Sequence, residues 1–479
     1  MSTAFNPADV QGNILRGYRK PRVRYLMIEV AEPIAARRWL AACLAGSDGV
    51  PQITTEEPWE TKPDTCFNIG LTYQGLRALG TPAASLASFP TEFIEGMSKR
   101  AVKLGDAGPS APENWDKPFN QPARIHLIAS IYADDVARLD SLQRAAISDK
   151  WGLKLLEPAR DGWCFNADYV HFNYTDNISQ PKFAEIHGTD NYPDRDSQPM
   201  APLGTVLLGY QTNFEGLKWR VPQPVALGYN GSFNAFRVLE QDVVGFEEYL
   251  TSAADMLLKH PDVDALLPPG DEAKIELKKG ERLSRRDALR EVIAAAMCGR
   301  WRNGVPLALS PDTPNPSPDV SRTNFDYGAK SRCPYGAHIR RCNPRGAQIV
   351  QRVANHSRRL VRRGMPYGPE YVHDPAKPRD PNEPKRGLLG NFIGANLGAQ
   401  FEAMSCDWLN LGLQDPRVTG SNDPLLGANE PATSWFDLPL PSGEPIRLRG
   451  LPRFVTTKGG AYTFLPSISA IKYLGSLSG

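Results

Sequence analysis

The sequence predicts an α+β protein made of two ferredoxin-like (split βαβ) halves, and three observations predict it. From Arg24 to Tyr174, apolar β-branched segments and Ala-rich helical segments follow the order strand, helix, strand, strand, helix, strand. A looser version of the same alternation fills the second half. The 41 glycines and 43 prolines among 479 residues are too few for a disordered chain and enough for long loops.

Each element has its own signal. Arg24–Val30 (RYLMIEV) has strand character, and Ile34–Leu44 follows with helical spacing. Cys66–Thr72 alternates as a strand, and Tyr73–Leu79 is a short helix stopped by Gly80. Arg124–Tyr132 is the next strand, Ala133–Ile147 the next helix, and Asp168–Tyr174 closes the unit as a strand. In the second half Gly231–Leu239 reads as a strand and Gln241–Lys259 as a helix, and Ser284 caps a helix running to Arg302. A Pro/Asn/Asp/Arg-rich passage from Ser310 to Pro384 has few periodic elements, and a passage that long is usually functional. Regular pattern resumes at Gly387–Leu397, with a helix at Gly398–Leu409 and a last pair at Arg453–Phe464 and Ser467–Leu474. The boundary is placed near Glu185–Gly204, giving units 1–190 and 191–479.

Composition excludes several classes. Lys plus Arg is 55 and Asp plus Glu is 53, a net charge of +2, which predicts no nucleic-acid partner. No run approaches the roughly 18 apolar residues of a membrane span, so no membrane partner is expected. Seven scattered cysteines without a CxxC pair suggest neither a disulfide framework nor a zinc ribbon, and the expectation is a cytoplasmic protein. The absence of a P-loop, a Gly-x-Ser-x-Gly elbow and an HExxH helix counts against kinase and hydrolase chemistry.

Three segments place reactive side chains where turns would hold them. In HFNYTDNISQP (171–181), Asp176 is flanked by Asn173 and Asn177, residues able to take positive φ and to present the carboxylate. In CPYGAHIRRCNPR (333–345), His338 sits among Arg332, Arg340, Arg341 and Arg345, a density of like charge that calls for an anion, either a ligand or acids from elsewhere in the fold. RRGMPYGPE (362–370) is a basic cluster stopped by Gly and Pro.

Together, and in this order, these segments resemble the dye-decolorizing peroxidase family, in its larger, advanced-type members. The opening VQGNILRGY, GRWRNGVPL at 299–307, RGLLGNFIGANLGAQFE at 386–402 and the closing RFVTTKGGAYTFLPS carry the same resemblance. It implies a dimeric α+β barrel fold with haem b in the second half. It also implies a peroxidase that uses hydrogen peroxide to oxidise small organic reductants, dyes and phenolics, through a Compound I-type intermediate, as a monomer or homodimer. The alternatives are a specialised haem oxidant of one metabolite and a haem-binding protein with poor peroxide turnover.

Residue by residue, the resemblance implies that His338 is the axial ligand of the iron, Asp176 the distal carboxylate and Arg362 the distal arginine, with Arg363 as a competitor one residue away. It further implies that Arg345 meets a haem propionate, that Leu388 and Phe392 roof the pocket, and that Glu402 is the carboxylate partner of His338. The family hallmark Gly-x-x-Asp-Gly is here Asn173-Tyr-Thr-Asp176-Asn177, so two amide side chains stand where the family has glycines. The resemblance thus leaves open a narrowed channel or an altered Asp176.

Overall fold

The computed structural model describes residues 5–189, 198–214, 216–277, 280–328, 331–346, 358–374 and 379–477 of the chain. Four strands form the first unit: β1 (Arg22–Val30), β2 (Thr65–Leu71), β3 (Leu127–Ala133) and β4 (Leu153–Trp163). They are linked by α1 (Pro33–Ala45), α2 (Tyr73–Ala78) and α3 (Val136–Ala146). They pair antiparallel in the order β4-β1-β3-β2, the order of a split βαβ unit. In β1 both faces are largely buried, with Val23, Tyr25, Leu26, Met27 and Ile28 all inside. This explains why the segment reads as a continuous apolar run.

The second unit uses β5 (Ser232–Gln241), β6 (Val361–Arg362), β7 (Met365–Tyr367), β8 (Gly387–Gly394) and β11 (Val455–Leu465). Its order, β11-β5-β8-β6 with β7 also on β8, repeats that of the first unit. A single register pair, Phe464 to Leu71, joins β11 to β2 and makes one sheet of both units. The sheet curls until its first strand meets its last: a Cβ added at Gly162 of β4 would lie 3.0 Å from the Pro366 carbonyl and 3.2 Å from Met365 Cβ of β7. Glycine eases that close approach of β4 to β7, where the curled sheet comes round on itself.

Helices α4 (Val243–Leu257) and α5 (Arg285–Cys298) pack together on the second unit. A five-residue helix, α6 (His338–Cys342), follows, and β9 (Trp435–Leu438) and β10 (Ile446–Arg449) form a separate hairpin. Helix α7 (Ile468–Gly475), capped by the Ser467 hydroxyl, ends the described chain.

Three expectations are corrected. The fourth strand of the first unit is Leu153–Trp163, while 168–174 is a tight turn. β4 pairs only with β1, and an edge strand tolerates Pro158 and the register shift that break its alternation. The helix capped by Ser284 stops at Cys298, because Gly299 takes φ +91° and its N–H bonds back to Ala295. The segment expected as a helix at 398–409 winds as two π-helical stretches, Leu397–Glu402 and Met404–Asn410. Parts of the 310–384 passage, including 347–357, lie outside the described residues.

Candidate active site

A cavity of about 350 Å³ opens on the second unit, a volume in the range of small-molecule sites. Leu388, Gly390 and Phe392 line it from alternate positions of β8, as one face of a strand must. Glycine at 390 leaves room for the Phe392 ring, since an added Cβ would lie 2.7 Å from it and the ring would have to shift. Leu239 and Gln241 of β5, Val455 of β11, and Phe401 and Met404 of the π-helical segment complete much of the wall.

His338 is the first residue of α6, and its side chain, 29% exposed, faces the cavity. Its Nδ1 lies 3.0 Å from Oδ2 of Asp423, which is fully buried. The other oxygen of Asp423 accepts from the N–H groups of Leu425 (2.9 Å) and Leu426 (2.8 Å) in an Asx-type turn. Burial would raise the Asp423 pKa, yet His338 beside it, then Arg341 and the Leu426 N–H, hold it below the usual carboxylate range. Arg341, buried on the helix of His338, donates to Ser421 O (2.9 Å) and Ser421 Oγ (2.6 Å), tying the aspartate loop to that helix. Cys342, one turn on, places its sulfur 3.8 Å from His338 Nε2.

Asp176 reaches the cavity from a turn whose backbone is closed by Asp176 N–H to Asp168 O (2.9 Å) and Val170 N–H to Tyr174 O (3.0 Å). Asn173 and Asn177 both take φ +58°, the left-handed conformation that the glycines of the hallmark would supply, and Phe172 joins them at +65°. Neither asparagine lines the cavity, and the Asn177 amide turns toward Asp168 at 3.4 Å. The Asp176 carboxylate makes no hydrogen bond or ion pair with any of the described residues.

Arg362 lines the same cavity. Gln180 pairs with its backbone like a neighbouring strand, Arg362 N–H to Oε1 at 3.0 Å and Nε2–H to Arg362 O at 2.9 Å. The Arg362 guanidinium donates to Ser179 O at 2.8 Å. The arginine is thus fixed to the loop of Asp176 and forms no ion pair with the Asp176 carboxylate within 4.0 Å among the described residues. Arg363 points away from the cavity, donating to Asn13 O (2.8 Å) and Ile14 O (3.2 Å).

Glu402 requires a correction. It is absent from the cavity wall and binds Arg100 (2.9 and 2.6 Å), Tyr462 (2.9 Å) and Lys103 (3.3 Å). Two cations already satisfy this buried carboxylate, so the partner of His338 is Asp423.

The arginine cluster is likewise answered mainly by the protein. Arg332 pairs with Asp312, and Arg341 donates to carbonyls and a hydroxyl. Arg340 donates to Cys333 O and stacks on Tyr335. Arg345, the one of the four that lines the cavity, donates to Thr323 O and Phe325 O (both 2.7 Å) and stacks on Phe325. Sequence reasoning missed Asp423 and Gln180; Asp-Pro-Leu-Leu at 423–426, an aspartate opening an Asx turn into apolar residues, was the available signal for the first.

The fold is thus an α+β barrel of two split βαβ units that brings a carboxylate-backed imidazole, a second carboxylate and an arginine to one cavity. The model of the DyP dimeric alpha+beta barrel domain matches residues 9–152. A dye-decolorizing peroxidase of Auricularia auricula-judae (AauDyP1) is 28% identical over 497 residues, covering 98% of this chain and 87% of its own. The multifunctional dye peroxidase DyP2 of an Amycolatopsis species is 28% identical over 503 residues, covering 97% and 95%. The solved fungal DyP-type peroxidase from Auricularia auricula-judae superposes with a TM-score of 0.76 at 25% identity, covering 99% of this chain and all of that one. A dye-decolorizing peroxidase in complex with 2,6-dimethoxyphenol gives 0.76 at 25%, covering 98% and 100%. The chain is thus similar over nearly its whole length to dye-decolorizing peroxidases, and the comparisons support an oxidoreductase of the peroxidase type.

Peroxidases of this family are haem enzymes, and the residues here fit such a group. Its planar apolar body matches the Leu388–Phe392 face, and His338 offers a nitrogen donor with its other nitrogen on a carboxylate. For its carboxylates, Arg300 and Arg345 line the cavity, and so does Tyr327, whose buried hydroxyl has no partner among the described residues and can donate.

Proposed function

We propose that this chain is a haem b peroxidase that uses hydrogen peroxide to oxidise dyes and phenolic donors. The observation that carries the reading is the His338–Asp423 pair on a cavity that also receives Asp176 and Arg362. His338 would hold the iron through Nε2, and Arg345 with Tyr327 would meet the propionates. A bound haem supplies the two-electron reduction of peroxide and the one-electron oxidation of donors.

The protein's own residues handle the proton and the charge. The Asp176 carboxylate, without a hydrogen-bond partner among the described residues, accepts the proton of hydrogen peroxide and returns it to the departing hydroxyl oxygen. Arg362, anchored on Ser179, supplies positive charge as the peroxide becomes anionic. Leu388 and Phe392 keep bulk water from the site, which strengthens both effects. Asp423 fixes the tautomer and orientation of His338.

A cytoplasmic setting agrees with seven unpaired cysteines, and no helix among the described residues is long and apolar enough to cross a membrane. The test is stopped-flow absorbance of the holoprotein. Rapid loss of the ferric Soret band on mixing with hydrogen peroxide, followed by its return on adding a phenol, is expected. A Soret band unchanged by peroxide for seconds would overturn the reading.

A further inference from the structure

Arg302 lies just beyond α5 and has 8% of its surface exposed, yet it is a cation held in the interior. Its Nε donates to Glu291 (2.9 Å) on α5, its Nη2 to Glu247 (3.1 Å) on α4, and its Nη1 to the Phe172 carbonyl. Its own carbonyl accepts from Thr175 N–H (2.8 Å) and Thr175 Oγ1 (3.0 Å). One residue therefore grips the turn before Asp176 at two points three residues apart. The first point, Phe172, and its neighbour Asn173 are both left-handed, and a bulky aromatic keeps that conformation only where its surroundings over-determine it. Phe172 packs on Phe246 of α4 (ring centroids 4.6 Å apart), and the Tyr174 hydroxyl donates to Ala294 O of α5 at 2.7 Å.

We propose that Arg302 is the positioning residue of the Asp176 carboxylate, transferring the rigidity of the α4–α5 pair to the 168–176 turn. Two buried glutamates do more than neutralise it, since each fixes one edge of the guanidinium fork so that the remaining N–H points at Phe172 O. Lysine offers no such fork. The inference rests on the reading of Asp176 as the proton carrier, and its test separates the two.

The experiment compares holoprotein of the wild type, Arg302→Lys, Asp176→Asn and the double variant. Three quantities are followed: the peroxide rate constant from the Soret change, the KM for a phenolic donor, and amide hydrogen exchange across 172–176. Arg302→Lys is expected to slow the peroxide step roughly 10- to 100-fold, as a displaced catalytic group does. It should leave the resting Soret band and the donor KM unchanged and speed exchange in 172–176. In the Asp176→Asn background the same change should add no more than about twofold, because the two act through one group. Equal slowing in both backgrounds, or a normal rate in Arg302→Lys while Asp176→Asn is slow, would overturn the proposal. A normal rate in Asp176→Asn would overturn the proton-carrier reading, and the proposal with it. If Arg302→Lys does not fold, Arg302→Met with Glu291→Gln, which leaves Glu247 to Arg290 at 2.8 Å, removes one buried pair and is read in the same way.

Discussion

His338 Nδ1 and Asp423 Oδ2 stand 3.0 Å apart across 85 residues of sequence. The aspartate is fully buried and its second oxygen is saturated by two backbone N–H groups, so it cannot swing away from the imidazole. An acceptor held this way selects the tautomer that leaves Nε2 for a metal and increases its basicity.

Asp423→Asn should keep the fold while weakening His338 as a donor. Haem affinity or peroxidase turnover is expected to fall about 10- to 100-fold, as for comparable partners of metal-bound histidine. Haem titration with steady-state turnover checks it, and the Glu402→Gln variant should leave both values near those of the wild type.

Asp176→Ala and Arg362→Leu should slow the peroxide step by about 10²- to 10⁴-fold while retaining haem, the range for loss of a positioned acid–base group. Arg363→Leu should not, because its guanidinium serves Asn13 and Ile14. Stopped-flow rates with matched Soret absorbance distinguish them.

Asn177→Gly should leave the peroxide rate within about twofold, since its amide faces Asp168 and not the cavity. Asn177→Val should destabilise the protein by about 1–2 kcal/mol, because a β-branched residue at φ +58° bears the steric cost that asparagine tolerates. Thermal unfolding with peroxide kinetics measures both.

Glu56 gives a pH dependence of stability. Burial pushes its carboxyl up from 4.5 to about 7, although the N–H groups of Leu15, Arg16 and Ile14 and the charge of Arg363 pull it down. A raised folded-state pKa adds stability that is fully present below the unfolded value and is lost as pH rises through the folded one. The Glu56 contribution is therefore complete below about 4.5, falls away between 4.5 and about 7, and amounts to roughly 3 kcal/mol. Denaturant titrations across that window should show this fall in the wild type and a flatter profile in Glu56→Gln.

The fold was legible where strands carry continuous apolar runs, as at β1, β3 and β5. It was illegible at β4, an edge strand whose pattern is broken by Pro158, and at 168–174, where β-like residues such as Tyr174 serve a turn stabilised by contacts to α4 and α5. His338, Asp176, Arg362, Leu388 and Phe392 all reach one cavity because each sits in a motif with local turn or strand chemistry. Asp423 escaped notice because its role is created by long-range packing that Arg341 secures through Ser421. The arginines misled for a related reason: carbonyls and aromatic rings distant in sequence satisfy most of their charge.

The central claim is tested most directly by haem content and Soret spectrum of the wild type and His338→Ala, each purified after reconstitution with haem b. The account predicts about one haem per chain and a sharp ferric Soret band in the wild type, with both lost in His338→Ala. Full haem loading with an unaltered spectrum in that variant would contradict it.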